Sequence, residues 1–429
     1  LSQIESLVLS RLSSLISIPL VLNKKPDSAT SRREFLKFLA ASPVLVAGGF
    51  TPRVFGQSAA NVDIDDYLIA AVDEAINVFD FEAVAKMKLP PAHWGYLASG
   101  VEDDRTLRAN REVFGKYHLR PRRLQNVHEI DTKRTLFGGD WDSPIFLCPV
   151  ASQKAFHPEG EIAVARAARQ QKHLQLLSTA GTSSVEDVIA ARGAPIWYQL
   201  YTYGMEITKS LVRRADAAGC PVLVLTVDQH LPGQNSETRF RYVRKDARSC
   251  IACHDPEDRL RNKPMFDQVN LDTWDGDYRS KMTWEIIGQL RDMTDMKIVL
   301  KGIVTREDAE LCLKYGVDGV IVSNHGGRAQ ESGWAALESL PEVVDAVDGK
   351  IPVMIDSGFR RGTDIYKALA LGATAVGIGR AYVWGLAAFG QEGVEKVLEL
   401  LRLELRLAMM STGAKTLDEI SRDSIGRNG

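Results

Sequence analysis

From about residue 144 onward, short apolar or β-branched runs alternate with longer stretches in which apolar residues recur at helical spacing. The runs are Ile145–Cys148, Leu174–Leu177, Ile196–Leu200, Val222–Val227, Ile298–Leu300, Val317–Val322, Val353–Ile355 and Ala375–Ile378; the stretches between them include Glu161–Gln170 and Arg306–Lys314. A strand covered on both faces reads as a continuous apolar run, and strands separated by helices pair in parallel. The pattern therefore predicts an α/β chain closed into a (β/α)8 TIM barrel, with an open doubly wound sheet as the alternative. Upstream, Ile64–Asn77 and Phe81–Met87 have helical periodicity and residues 99–111 are polar. Residues 61–140 are thus expected to form an N-terminal helical cap, and residues 141–429 the barrel, with a long connection at 229–280.

A barrel places its chemistry in the loops that follow its strands. Here those positions hold Gln199 and Tyr201 after the third run, Asp228 after the fourth and Lys301 after the fifth; Ser323 to Arg328 follow the sixth, Asp356 to Arg360 the seventh, and Gly379 and Arg380 the eighth. Glycines let backbone N–H groups approach an anion and Arg360 and Arg380 can grip its oxygens, so a phosphorylated cofactor is expected. Lys301 brings an ammonium to the barrel mouth, suited to a structural ion pair or to an anionic cofactor ring. His325 and Arg328 share one tight loop: the guanidinium can bind a carboxylate while the imidazole takes a proton beside it, with Asp228 orienting the ring.

Composition narrows the partners. A formal net charge of −2 leaves no basic field for nucleic acid, so recognition must be local and of small molecules or protein surfaces. The five cysteines are too few for a disulfide scaffold, and Cys148, Cys220 and Cys312 lie where buried thiols are expected.

The segments VSNHGGR at 322–328, VLKG at 299–302 and IDSGFRRGTDIYKALALGA at 355–373 resemble the FMN-dependent α-hydroxy acid oxidases and dehydrogenases. So do YLASG at 96–100, CPVASQKAFHPEGE at 148–161, LLSTAGTSSVEDV at 176–188, YQLY at 198–201 and LTVD at 225–228. The resemblance implies that Tyr96 and Arg328 bind the substrate carboxylate, Tyr201 contacts the hydroxyl, and His325 is the base backed by Asp228. It implies that Lys301 faces the flavin ring, that Pro149, Val150, Ala151, Ser178, Gln199, Thr226 and Ser323 surround it, and that Asp356, Gly358, Arg360, Gly379 and Arg380 hold its ribityl phosphate. Two departures stand out. Many members carry a second arginine soon after the fourth-strand aspartate; this chain has Gly233-Gln234-Asn235-Ser236-Glu237, with Arg239 or Arg241 as candidate substitutes. Ala180 replaces a bulky tryptophan of several oxidases, which implies a larger substrate pocket.

Two motifs point outside the barrel. Residues 31–50, SRREFLKFLAASPVLVAGGF, resemble a twin-arginine (Tat) export signal with small residues Ser58-Ala59-Ala60 for cleavage, so residues 1–60 are expected to be removed and the enzyme to be periplasmic. Within the long connection, RSCIACH at 248–254 has the Cys-x-x-Cys-His spacing of c-type haem attachment. Cys250 and Cys253 would carry covalent haem c and His254 would be its iron (metal) ligand, with His230 or Met265 as a sixth; a local disulfide or half a metal site are the alternatives. The expected activity is FMN-dependent oxidation of an L-2-hydroxy acid, lactate- or mandelate-like, with electrons passed to a cytochrome or quinone-linked acceptor. An oxygen-using oxidase and a non-catalytic flavin and haem electron carrier are the rivals. A homo-oligomer, specifically a tetramer, is implied by the resemblance.

Overall fold

Asn77 decides where the first helix of the structure, a computed structural model describing residues 68–228, 236–245, 260 and 262–428, begins. Its side chain accepts from Phe79 N at 2.8 Å, and Asp80 Oδ2 returns the bond to Asn77 N at 3.0 Å, starting helix Val78–Lys88. The helix expected over Ile64–Asn77 is absent from its described part, residues 68–77, which hold only a single 3-10 turn at Val72–Glu74. Asparagine stabilises a helix start better than a helix interior, and here the cap prevails over the apolar spacing. Helices Pro91–Ala98 and Arg105–Glu112 follow.

Three short strands precede the barrel: β1 (Tyr117–Leu119), β2 (Arg134–Leu136) and β3 (Gly139–Trp141), with β2 and β3 forming an antiparallel hairpin. Eight parallel strands then close on themselves in sequence order: β4 (Ile145–Leu147), β5 (Leu174–Ser178), β6 (Trp197–Leu200), β7 (Val222–Thr226), β8 (Lys297–Ile303), β9 (Gly319–Val322), β10 (Val353–Ile355) and β11 (Ala375–Ile378). The fold is a (β/α)8 barrel. Helices Gly160–Gln170, Val185–Arg192, Met205–Ala217, Arg306–Lys314, Ala336–Val347 and Gly362–Ala370 lie between successive strands. The last helical stretch, Arg380–Thr412, is broken at Phe389 and Gly390, and β12 (Ile425–Arg427) returns to pair with β1.

Inward-facing residues fill the barrel: Phe146, Leu174, Leu176, Trp197, Val222, Val224, Val299, Ile321 and Met354 are buried together. The β2–β3 hairpin caps this core, with Leu136 buried in it and the Phe137 ring 5.4 Å from that of Trp197. The N-terminal end is therefore filled with apolar side chains, and only the C-terminal rim can host a ligand.

At the hairpin junction, His173 is fully buried with its Nε2 2.7 Å from Ser143 Oγ. Burial pushes its pKa down to about 3. An unfolded histidine titrates near 6.5, so between those values the unfolded chain binds a proton that the native state excludes. Stability therefore falls as pH drops from ~6.5 toward 3, by up to about 1.4 kcal/mol per pH unit from this residue. His173→Gln is expected to flatten the pH dependence of urea-unfolding free energy between pH 6 and 4; identical slopes for variant and parent would refute it.

Candidate active site

The rim loops converge on one cavity that opens to solvent. Its wall includes Tyr96, Pro149, Val150, Ala151, Ser178, Tyr201, Lys301, His325, Arg328, Asp356, Gly358, Arg360, Gly379 and Arg380, all of which the sequence singled out. Gln199 and Thr226 support the wall: Ser178 Oγ donates to Gln199 Oε1 at 3.1 Å, and Gln199 Nε2 donates to Thr226 Oγ1 at 2.9 Å. Ala180 does not reach the wall. Its amide bonds Ser178 Oγ and its carbonyl accepts from Ser152 N, so it belongs to the turn after β5 rather than to the cavity.

His325 sits at φ +57°, a left-handed backbone conformation rare outside glycine. That turn aims its Nδ1 at Asp228 Oδ1, 2.8 Å away, and leaves Nε2 facing Tyr201 Oη at 3.3 Å. Burial would raise the pKa of the Asp228 carboxyl, but the Lys301 and His325 charges and the hydrogen bond from His325 hold it below its ordinary value. Burial keeps the Tyr201 phenol well above its usual pKa, so it remains a donor.

Lys301 is 4% exposed, and its Nζ lies 3.7 Å from Asp228 Oδ2 and 3.4 Å from Asp356 Oδ2 while donating to Ser323 Oγ at 2.8 Å. Burial alone would lower its pKa, yet the two carboxylates raise it above the ordinary lysine value. The lysine is therefore a fixed cation at the floor of the cavity.

Three arginines face the same space with only main-chain hydrogen-bond partners among the described residues. Arg328 Nη1 donates to Tyr96 O and Ser99 O; Arg360 Nη1 donates to Phe359 O; Arg380 donates to Leu97 O, Gly326 O and Ser99 O. Arg360 Nε is buried without a hydrogen-bond partner. Burial, and then neighbouring arginine charge, lowers Arg360 to about 10 and Arg380 to about 9. Glu82 feels both electrostatically, but burial raises its own carboxyl pKa and it forms no ion pair with either. Buried cations without counter-charges call for anions. Beside them the loops need glycine: a Cβ on Gly358 (φ +95°) would clash with Asn110 O, and one on Gly326 would meet Arg380 Nη1 at 2.5 Å. Orphaned guanidinium donors, glycine loops and the Lys301 ammonium fit a phosphorylated, anionic ring cofactor such as FMN.

Of the two arginines offered as substitutes in the long connection, the structure brings one to the mouth. Arg239, on helix Glu237–Val243, has its Cζ 5.4 Å from the centroid of the Tyr96 ring, which Arg328 also covers at 4.2 Å. Arg241 instead pairs with Glu237 on the exposed side. Sequence reasoning missed Arg279, whose Cζ lies 4.8 Å from the Tyr201 ring and 4.4 Å from the Tyr203 ring. Leu97, Cys148, Ser357 and Phe359, which lie in the quoted segments but were given no role, and Gly377 also line the cavity wall. Cys148 was legible as the end of an apolar run, but only barrel closure shows that it points inward. Cys250, Cys253, His254 and His230 lie outside the described residues. Met265 is fully buried in the apolar core.

Comparison with known proteins agrees with this geometry. Residues 85–427 match the family described as FMN-dependent dehydrogenase. The chain is 40% identical over 363 residues to glycolate oxidase of Spinacia oleracea, an alignment covering 82% of this chain and 96% of that protein. It is 36% identical over 356 residues to a peroxisomal (S)-2-hydroxyacid oxidase of Arabidopsis thaliana, covering 82% and 97%. Among solved structures, a soluble mutant of the membrane-associated (S)-mandelate dehydrogenase of Pseudomonas putida superposes with a TM-score of 0.75 at 34% identity, covering 82% of this chain and 99% of that one. Mandelate oxidase with benzoyl-formic acid gives 0.72 at 35% identity, covering 82% and 98%. With a phosphate-suited arginine cluster, a buried lysine and a histidine–aspartate pair on a (β/α)8 rim, this chain belongs to the FMN-dependent dehydrogenase family and is an FMN-dependent oxidoreductase.

Proposed function

We propose that the enzyme oxidises the CH–OH group of an L-2-hydroxy acid, lactate- or mandelate-like, to the 2-oxo acid. The observation that carries this is the convergence of the His325–Asp228 pair, Tyr201 and Arg328 on one cavity. Arg328 uses only Nη1 on the main chain, leaving Nε and Nη2 to hold the substrate carboxylate beside Tyr96. That grip places the C2 carbinol near His325 Nε2. Oxidation removes two electrons and two protons from the C2–H and O–H bonds. His325 Nε2 receives a proton, Asp228 stabilises the resulting imidazolium, and Tyr201 donates to the substrate oxygen. Bound FMN would supply the acceptor for the electron pair and the second proton; Arg360, Arg380 and the Gly358 and Gly379 backbone would hold its phosphate and Lys301 its ring.

The reading extends to a periplasmic enzyme exported by the segment at 31–50, assembled as a tetramer, whose electrons reach a cytochrome through haem on Cys250, Cys253 and His254. The spacing within RSCIACH supports the haem relay. Leu403, Leu407 and Met410, exposed at helical spacing on Arg380–Thr412, support contact between copies. A second reading, an oxygen-using oxidase with a Cys250–Cys253 disulfide, is favoured by the likeness to glycolate oxidase. Optical spectra of protein matured with haem-attachment machinery, before and after a panel of 2-hydroxy acids, test both levels. Bleaching of the flavin band by at least one acid is the expected result, and a panel without effect overturns the activity. Mass spectrometry of the peptide spanning Cys250 to His254 then separates a haem adduct from a disulfide.

A further inference from the structure

Ser357 occupies φ +84°, a left-handed conformation suited to glycine, on the wall of the cavity. Its hydroxyl accepts the N–H of Gly326 at 3.0 Å and donates to Asp356 Oδ1 at 2.8 Å. Ser323 does the same one residue earlier: its hydroxyl accepts His325 N–H at 3.0 Å and donates to the same Asp356 oxygen at 2.6 Å. Each serine has one proton. Giving it to the carboxylate leaves oxygen lone pairs for the amide, so both directions of bonding are fixed.

We infer that Ser357 is a positioning residue for the proposed reaction: with Ser323 it brackets the two successive amides of His325 and Gly326 against Asp356, holding the histidine loop in its left-handed turn. The inference rests on the role given to His325 above. Two strained residues face each other across this bracket, His325 at φ +57° and Ser357 at φ +84°. Glycine at 357 would relieve one strain but would release Gly326 N. Lys301, bonded to Ser323 Oγ, ties the bracket to the cation at the cavity floor, so one hydrogen-bonded network joins the ring-facing lysine to the proton-accepting histidine. A loose loop would let Nε2 wander from the substrate, while Arg328 kept its bonds to Tyr96 O and Ser99 O and Arg380, though losing a firm Gly326 O, kept those to Leu97 O and Ser99 O.

Ser357→Gly and Ser357→Ala separate strain from hydroxyl. In FMN-loaded protein both variants should keep FMN, show a KM within about threefold of the parent, and lose about tenfold in the rate of flavin reduction, the value of one hydrogen bond near 1.4 kcal/mol. The glycine variant should melt above the alanine variant, since both lose the hydroxyl and only glycine sheds the left-handed penalty. Hydrogen exchange of the peptide spanning 322–328, measured without substrate, should quicken in both. Parental exchange shows that the bracket does not hold the loop, and faster exchange with a parental reduction rate shows that holding it does not matter; either overturns the inference. Should no 2-hydroxy acid reduce the parent, the proposed activity fails instead, and the exchange measurement still reads the bracket.

Discussion

His325→Ala is expected to retain FMN and to lose about 10²- to 10⁴-fold in flavin reduction by any 2-hydroxy acid. The imidazole contributes no bond to Arg360, Arg380 or the glycine loops, so cofactor retention does not depend on it. Its loss removes the group that faces Tyr201 Oη from 3.3 Å and that Asp228 orients from 2.8 Å. Asp228 does not take over, because it points at the vacated ring and is held anionic by Lys301. Stopped-flow absorbance under anaerobic conditions measures the effect, and near-parental reduction would show that another group accepts the proton.

Arg360→Ala should raise the Kd for FMN by about two orders of magnitude, the loss of one or two charge-assisted bonds of about 1.5–3 kcal/mol each. The apoprotein should respond differently. Arg360 is 6% exposed and has no anionic partner among the described residues, and its Cζ lies 4.4 Å from the Trp384 ring centroid. Truncating a buried side chain ordinarily destabilises, but here it also removes an uncompensated buried cation. The melting temperature of the apoprotein is therefore expected to change little while that of the FMN-bound protein falls. An unchanged FMN affinity would place the phosphate elsewhere, and a parallel fall in both melting temperatures would make the residue purely structural.

The barrel was legible because its signal is local. Each strand is built on a short, largely apolar run, and the observed strands depart from the expected runs only at their ends. Turn residues after those runs then located Asp228, Lys301, His325, Arg328, Asp356, Arg360 and Arg380, since a parallel barrel sends every strand's C-terminus to one rim. What the chain did not disclose depends on contacts between distant segments or on backbone dihedral angles. The apolar spacing of Ile64–Asn77 suggested a helix, but the described part, residues 68–77, is non-helical apart from one 3-10 turn, and the first helix starts at the Asn77 cap. The β2–β3 hairpin is too short to show a strand period, and only packing against Trp197 makes it the floor of the barrel. Ala180 was assigned to the pocket by the family resemblance, whereas in the structure it sits in the turn after β5 and is not among the residues that line the cavity. Arg239 and Arg241 were equivalent candidates until helix Glu237–Val243 set one over Tyr96 and turned the other to Glu237. Arg279 reaches Tyr201 across 78 positions. Ser357 reads as an ordinary loop serine; tertiary structure alone gives it φ +84° and places its hydroxyl between Gly326 N and Asp356, because a hydrogen bond is set by three-dimensional approach and leaves no period in the sequence.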